Sequence, residues 1–388
     1  MPEEALSGAA LERRSRTLEA AQLAEAQARF AALPLAGQMA VARRVCATRQ
    51  HDFARILGEV LALRPGLRRR RDVQGQEFIH REACVVFIVR RKRGAADDLD
   101  PAQRIPEFLL SSVAGPGGEA RLVALPTDVQ AQDRFTRIQA QAASGFTVQG
   151  PAGQEFGVAA CVVESGSARY ALAPLHVMTP QSAAPMAGLA LRQPLLAAGS
   201  AAPLQSTAHG GRLVDDAQLC FDVQWAKVKQ LAAVKKALGP QRWSASQPWQ
   251  RGPDSLLQHI EAGRPMFLLL PDNHPQMATP RGPVELVLSQ EESVIDIDYL
   301  IAGQLRALPQ RVMELQLPPG QGSLPGDSGS PVVLALGAEG LSLVGMHVAG
   351  STQDGTSYVI PAWRLLDPAY HADMQASTPG ASWRLMNL

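Results

Sequence analysis

The chain has few of the features that mark several large protein classes. Only four cysteines occur among its 388 residues, at Cys46, Cys84, Cys161 and Cys220. No two of them form a CxxC pair, and none has a histidine at zinc-ligand spacing, so the sequence argues against a structural zinc site. They are also too sparse for a disulfide-stapled scaffold. Because no phosphate-binding glycine loop or other cofactor motif occurs, we expect no metal and no cofactor.

Excess charge of one sign and long apolar runs are missing too. The 37 Lys and Arg residues nearly balance the 36 Asp and Glu residues, for a net charge of +1. This balance gives no electrostatic reason to expect a nucleic-acid or membrane partner. The first residues lack a basic stretch followed by an apolar one, and no run has the length needed to cross a bilayer. We expect a soluble, cytoplasmic protein.

Turn-forming residues are abundant. The chain holds 33 Gly and 29 Pro, and 46% of its residues are hydrophobic. This combination predicts a folded protein with a real core, many turns and many short strands. The length allows two or three domains.

The first third of the chain differs in amino-acid composition from the rest. Residues 1–66 are rich in helix formers, interrupted by Pro34 and Gly37, which predicts an N-terminal helical segment. Residues 67–135 are expected to form a small α+β domain. In it, the apolar run 83–89 is interpreted as a buried strand and residues 105–113 as a short helix. The basic run 68–71 is interpreted as a solvated linker.

From about residue 144 onward, short Val- and Leu-rich runs alternate with Gly, Pro and Ser clusters. This spacing predicts antiparallel sandwiches or barrels. Residues 236–256 carry two Gly-Pro pairs and are interpreted as a linker between two β halves. We place this mainly β domain at residues 136–370, with residues 371–388 as a C-terminal tail.

One motif carries chemistry. The string runs from Gly326 through Asp327, Ser328, Gly329 and Ser330 to a proline, and two valines that open a strand follow. Glycines beside a serine let the backbone turn sharply and present its hydroxyl. The amides of Gly326 and Ser328 could then converge on one point and form an oxyanion hole.

A nucleophilic serine needs a base and a group that orients the base. His176 ends an apolar strand and is the candidate base. Asp222 begins another apolar strand, which would hold its carboxylate rigidly, so it is the preferred orienting acid. Asp215 and Asp216 remain alternatives for that role.

With these residues in the order His, Asp, Ser, residues 140–368 resemble trypsin- and chymotrypsin-like serine peptidases. The resemblance implies a fold of two antiparallel β-barrels, with His176 and Asp222 on the first and Ser328 on the second. It also implies that residues 345–350 form the strand that aligns the substrate. The chain lacks the Ile-Val-Gly-Gly start of the zymogen branch, so Asp327 needs a partner other than a freed N-terminus.

The same resemblance implies a substrate pocket formed by Ser323, His347, Val348 and Gly350. The residue at the pocket base, Gly322, is not acidic, so cleavage after Arg or Lys is not expected. Glutamyl endopeptidases, and the chymotrypsin-like cysteine proteases of small RNA viruses, place a histidine where His347 stands. An imidazole N–H and the Ser323 hydroxyl could both donate to the side-chain carbonyl of a Glu or Gln.

Three functional hypotheses follow. The first is an intracellular serine endopeptidase that cleaves a protein partner, after Glu or Gln. The second is a catalytically silent binding or adaptor protein on a peptidase scaffold. The third adds that residues 1–135 regulate the peptidase, by analogy with extensions of trypsin-like peptidases in bacterial stress or defence systems.

Overall fold

A computed structural model describes most of the chain. The described residues are 19–56, 59–90, 92, 104–131, 139–140, 157–178, 204–205, 207–213, 218–270, 281–301, 304–324, 326–351, 355–374, 376–379 and 382–388. They divide into two compact units. The first comprises residues 1–135 together with 288–292, and the second comprises residues 136–287 and 293–388. Strands dominate the described residues, so the protein is mainly β.

The first unit contains two helices and several strands. The helices are α1 (Ala20–Ala31) and α2 (Leu35–Ile56), and the strands are β1 (Val60–Arg71), β2 (Glu77–Val89), β3 (Phe108–Ala114) and β4 (Ala120–Ala131). Strand β2 pairs antiparallel with β1 and parallel with β4, and β4 pairs antiparallel with β3. Buried apolar side chains fill the space between helices and strands, as where the rings of Phe53 and Phe87 meet edge to face at 5.1 Å.

Sequence patterns were only partly informative in this unit. The apolar run 83–89 lies in β2 and is buried, as expected. The helix expected at 105–113 is wrong: β3 occupies most of this stretch, since Leu109 and Leu110 are buried and pair with β4. The expected linker at 68–71 is also wrong, because these residues end β1, which itself runs across residue 66. The arginines are tolerated there because Arg70 and Arg71 pair with Glu82 and Glu77.

The second unit begins with a sheet that supplies two of the candidate residues. Its strands are β6 (Cys161–Ser165), β7 (Ala168–Ala173), β8 (Leu204–Gln205), β9 (Gly210–Arg212), β10 (Phe221–Val228) and β17 (Arg384–Leu385), and the short helix α3 (Leu175–Met178) follows β7. The order is β17-β6-β7-β10-β8, with β9 also on β10. The short strand β5 (Gln139–Ala140) pairs instead with β12 and β15.

Further strands of this unit carry the nucleophile motif and the expected pocket. They are β11 (Met266–Leu269), β12 (Pro283–Ile301), β13 (Gln304–Gln316), β14 (Pro331–Ala335), β15 (Leu341–Gly350) and β16 (Thr356–Pro361). Residues 288–292 of β12 belong to the first unit. The helices are α4 (Leu231–Leu238), α5 (Pro253–Glu261), α6 (Ala362–Leu366) and α7 (Pro368–Asp373). One buried cluster joins the two groups of strands, with Trp225 from β10 among Ile297, Val333 and Val348.

Two segments expected to be peripheral belong to the folded unit. Residues 371–388 are not a separate tail, because Trp383 stacks on Trp225 with ring centroids 6.0 Å apart and Leu385 pairs with Val163. The expected linker 236–256 ends inside α5, and its Trp243 and Trp249 are buried. These buried tryptophans pack both segments against the core of the unit. Within the described part of the chain, every helix is too short or too polar to traverse a bilayer.

Candidate active site

His176 lies in α3, directly after the end of β7. Its backbone N–H donates to Oδ1 of Asp222 at 3.0 Å, and its Nδ1 lies 2.5 Å from Oδ2 of the same carboxylate. One carboxylate therefore holds both the main chain and the ring of the histidine. This arrangement fixes the tautomer, because Nδ1 carries the proton and Nε2 is left to accept one.

Asp222 is fully buried on β10, beside a residue that the sequence patterns did not reveal. The hydroxyl of Tyr299, on β12, donates to Oδ2 of Asp222 at 3.2 Å. The tyrosine ring also meets the His176 ring edge to face, with centroids 5.7 Å apart. Burial raises the pKa of Tyr299, and the charge of Asp222 raises it further. The tyrosine hydroxyl therefore keeps its proton and remains a hydrogen-bond donor. The alternation of Ile295, Ile297 and Tyr299 was the only sequence signal for its inward position.

The alternatives to Asp222 are not placed on the histidine. Asp215 and Asp216 lie outside the described residues. The sequence also places four acids, Glu291, Glu292, Asp296 and Asp298, in a strand-and-turn region without a supporting histidine, which predicts that they are solvated. In β12, Glu292 and Asp296 are exposed and Asp298 is half-buried, but the prediction is wrong for Glu291, which is buried.

Ser328 lies in the turn before β14 and is fully buried. Its carbonyl accepts a hydrogen bond from the N–H of Val158 at 2.8 Å. At Gly329, which has φ +97, a Cβ would overlap the Val158 carbonyl oxygen and lie 3.1 Å from Cδ of Pro174. Because Pro174 is two residues before His176, the serine turn packs against the segment that carries the histidine.

The link between serine and histidine is not formed in this conformation. The Ser328 hydroxyl donates to the carbonyl oxygen of Val348 at 3.0 Å. Nε2 of His176 is buried and, among the described residues, has no hydrogen-bond partner. The structure thus brings His176 and Asp222 together and leaves an acceptor nitrogen unsatisfied. Gly326, the other expected oxyanion-hole residue, has φ +108, a conformation that L side chains rarely adopt.

Asp327 has a partner that no sequence pattern identified. Its fully buried carboxylate accepts hydrogen bonds from both terminal nitrogens of Arg281, with Nη1 at 3.0 Å from Oδ2. The same Oδ2 accepts the N–H of Leu324 at 2.7 Å. Arg281 lies just before β12, 46 residues upstream of Asp327, and no sequence motif marks it.

Two of the expected pocket residues carry unsatisfied polar atoms. His347, on β15, is fully buried, and its Nδ1 lies 2.8 Å from the hydroxyl of Ser357. Its Nε2 and the Ser323 hydroxyl are both buried and, among the described residues, lack a hydrogen-bond partner. At Gly350 a Cβ would overlap the Ser323 hydroxyl, so the glycine leaves room for it. A buried polar atom without a hydrogen-bond partner costs free energy and calls for an explanation, such as an ordered water or a bound polar group.

Burial lowers the pKa of His347 from 6.5 to about 4. Asp327 opposes this shift, whereas Arg281, and His176 when it is protonated, act in the same direction as burial. The imidazole is therefore neutral at pH 7. Its backbone also holds the serine turn, since the His347 carbonyl accepts from Gly329 N–H at 2.7 Å and its N–H donates to the Ser330 carbonyl at 3.0 Å.

No group of three His, Cys, Asp or Glu side chains arranged to hold a metal ion occurs among the residues that the structure describes. The four cysteines are buried, and none of them forms a disulfide bond. Burial raises the pKa of Cys46 to about 12 and that of Cys84 well above its ordinary value. These thiols are therefore poor nucleophiles at neutral pH.

Comparisons with known proteins do not assign a family. No protein-family model and no curated protein matches the chain. Among solved structures, the NS6 protease from murine norovirus 1 matches with 14% identity and a TM-score of 0.26, over 52% of this chain and 88% of that chain. A chimeric murine norovirus NS6 protease matches with 16% identity and a TM-score of 0.27, over 52% and 91%. Likeness at this level is too weak to support a functional argument.

Proposed function

We propose that the chain is a serine endopeptidase in which Ser328, His176 and Asp222 form the catalytic triad. The observation that carries the proposal is the His176–Asp222 pair, joined at 2.5 Å and leaving a buried Nε2 that no described residue contacts by a hydrogen bond. The Ser328 turn packs against the residues just before that histidine. We further propose that the two groups of strands in the second unit correspond to the two barrels of a chymotrypsin-like fold.

In the proposed mechanism, the Ser328 hydroxyl leaves the Val348 carbonyl and turns to Nε2 of His176. The histidine accepts its proton as Oγ attacks the scissile carbonyl and returns it to the leaving amine, which leaves the acyl group on the serine. Water, deprotonated by the same histidine, then hydrolyses this ester and restores the Ser328 hydroxyl. Asp222 holds the ring and stabilises the imidazolium. The amides of Gly326 and Ser328 stabilise the oxyanion, each contributing about 2.7–4 kcal/mol.

The decisive experiment compares the wild-type chain with Ser328→Ala. We expect a fluorophosphonate probe to label only the wild type, and S328A to lose cleavage of a Glu- or Gln-containing reporter peptide. Ser330→Ala is the matched control, because Ser330 is an equally buried serine two residues away. Cleavage that survives in S328A would disprove the mechanism.

We propose that the pocket selects Glu or Gln at the residue before the cleaved bond. Ser357 would donate to Nδ1 of His347, which leaves Nε2–H as a donor beside the Ser323 hydroxyl. An apolar substrate side chain would leave both of these buried donors without an acceptor. We therefore expect the pocket to exclude substrates with an apolar residue before the cleaved bond. Because His347 is neutral at pH 7, it offers no charge to a carboxylate, and we expect Gln to be accepted at least as well as Glu. A peptide-library cleavage profile tests this selection directly.

The second candidate is a catalytically silent binding protein on the same scaffold. One observation favours it: the Ser328 hydroxyl is bonded to Val348 and not to His176. A silent protein would resist the fluorophosphonate probe in its folded state while still binding a Glu- or Gln-containing peptide. Binding without labelling would therefore replace the first candidate with the second.

We propose, thirdly, that the first unit regulates cleavage of a protein partner by the second. The support is that residues 1–135, with 288–292, form a compact unit with its own buried residues. A variant that perturbs only this unit should then change basal or partner-stimulated cleavage.

A further inference from the structure

We propose that Arg281 is the positioning residue of the active-site turn, and that it makes the turn competent without cleavage of the chain. The inference rests on the proposed peptidase function. It starts from the Asp327 carboxylate, which is fully buried directly before the nucleophile. A buried carboxylate is stable only when it is paired and hydrogen-bonded.

The pairing comes from one guanidinium. Both terminal nitrogens of Arg281 meet the two oxygens of Asp327, and the arginine side chain is only 13% exposed. Paired fork-to-fork contacts of this kind are stronger and more directional than a contact to a single ammonium. The geometry therefore fixes the plane of the carboxylate as well as neutralising it.

The same carboxylate organises the turn that carries Ser328. Oδ2 of Asp327 accepts the N–H of Leu324 at 2.7 Å, while the Asp327 N–H donates to the Leu324 carbonyl at 3.0 Å. The Asp327 carbonyl then accepts the N–H of Ser330 at 2.9 Å. Between these anchors lie Gly326 and Ser328, whose amides are the proposed oxyanion donors. Loss of the guanidinium would leave a buried charge that can be relieved only by moving the turn.

The consequence concerns activation. In this chain the partner of Asp327 is an internal side chain, located 46 residues upstream in sequence. The chain therefore supplies the stabilising cation itself, and no new terminal amine has to be generated. We expect the uncleaved chain to be active.

The experiment uses the full chain with Arg281→Met, Arg281→Lys and the control Arg169→Met. Arg169 pairs with Glu164 in the same unit, but its side chain is 45% exposed. We expect R281M to lower kcat and the rate of fluorophosphonate labelling by about 100-fold with KM little changed, because a misplaced oxyanion donor acts on the transition state. R281K should be intermediate, and R169M should match the wild type.

If Arg281 had a purely structural role, R281M would lower the free energy of unfolding but would not lower kcat selectively over KM. Urea unfolding is therefore measured on every variant. If R281M does not fold, the double variant R281M/D327N removes both charges, and it should fold yet label slowly. Intact mass of the labelled wild type should equal that of the full chain. Folded R281M with wild-type kcat, or labelling confined to a shortened chain, would overturn the inference. A wild type that neither labels nor cleaves would instead contradict the proposed peptidase.

Discussion

At the residue scale, the site is built from polar side chains withdrawn from water. Ser323, Asp327, Ser328 and His347 are all fully buried. Burial of polar groups costs free energy unless each is hydrogen-bonded, so a cluster with unsatisfied atoms is expected where a ligand completes it. The buried orphan atoms on His176, His347 and Ser323 fit this description.

The lowered pKa of His347 has a measurable consequence for stability. Its pKa falls from 6.5 to about 4 on folding, so between these values the unfolded chain binds more protons than the folded one. The free energy of unfolding contributed by this group therefore decreases as the pH falls from 6.5 to 4, by about 3 kcal/mol in all.

Urea unfolding at pH 7 and pH 4 tests this prediction on the wild type and His347→Gln. The variant cannot titrate, so we expect its stability to fall less on acidification than that of the wild type. Equal losses in the two proteins would show that His347 is already charged in the folded chain.

At the element scale, the connection from the serine turn to β14 depends on one glycine. Gly329 has φ +97, and a Cβ there would overlap the backbone of Val158. Gly329→Ala should therefore destabilise the protein by about 3 kcal/mol or more, since both the backbone conformation and the packing oppose a side chain. Gly166→Ala is the control, because Gly166 also has positive φ, at +60, but a Cβ would meet nothing within 4 Å.

The two glycine variants are compared by urea denaturation. We expect the free energy of unfolding of G166A to be about 1 kcal/mol lower than that of the wild type, which is the cost of the backbone conformation alone. A G329A chain as stable as G166A would mean that the serine turn does not pack against residue 158.

Individual elements also show where sequence patterns lose information. The apolar run in β2 was recognisable because seven successive residues, 83–89, are buried. The stretch at 105–113 was misinterpreted as helical because a short apolar run is compatible with either helix or strand. Residues 108–113 form a strand because they pair with β4, and no pattern within the stretch itself reveals that pairing.

At the scale of the whole molecule, the first unit is not one continuous segment. Residues 288–292 belong to it, with Gly66 paired to Gln290 and Arg43 paired to Glu291. Glu291 is 3% exposed and Arg43 is 32% exposed. A segment inserted from far along the chain thus supplies a buried acid to this unit.

Arg43→Met should therefore lower the free energy of unfolding by about 2–3 kcal/mol, because it leaves a buried carboxylate without its fork of donors. The control is Arg121→Met, whose pair with Glu119 is exposed at both ends, so its loss should leave stability close to that of the wild type. Urea unfolding measures both, and reporter cleavage by R43M also tests regulation by the first unit. Equal stability of the two variants would contradict the role of residues 288–292.

Local chemistry made some residues recognisable from the order of amino acids alone. The glycine-rich string around Ser328 is a short-range pattern, because neighbouring residues set the backbone turn. The apolar run before His176 is also short-range, and it forms β7, which ends at Ala173, just before the helix that carries the histidine. The general prediction of a mainly β second unit has the same origin, since turn residues and short apolar runs are themselves local.

Partnerships across the fold were invisible in the sequence. Tyr299 reaches Asp222 over 77 residues, and Arg281 reaches Asp327 over 46. A tyrosine in an alternating strand or an arginine before one carries no mark of its partner, because the pairing arises only when β12 packs against the strands and turns that hold the acids. Folding in three dimensions selects which charges are buried together, and that selection sets the electrostatics of the site.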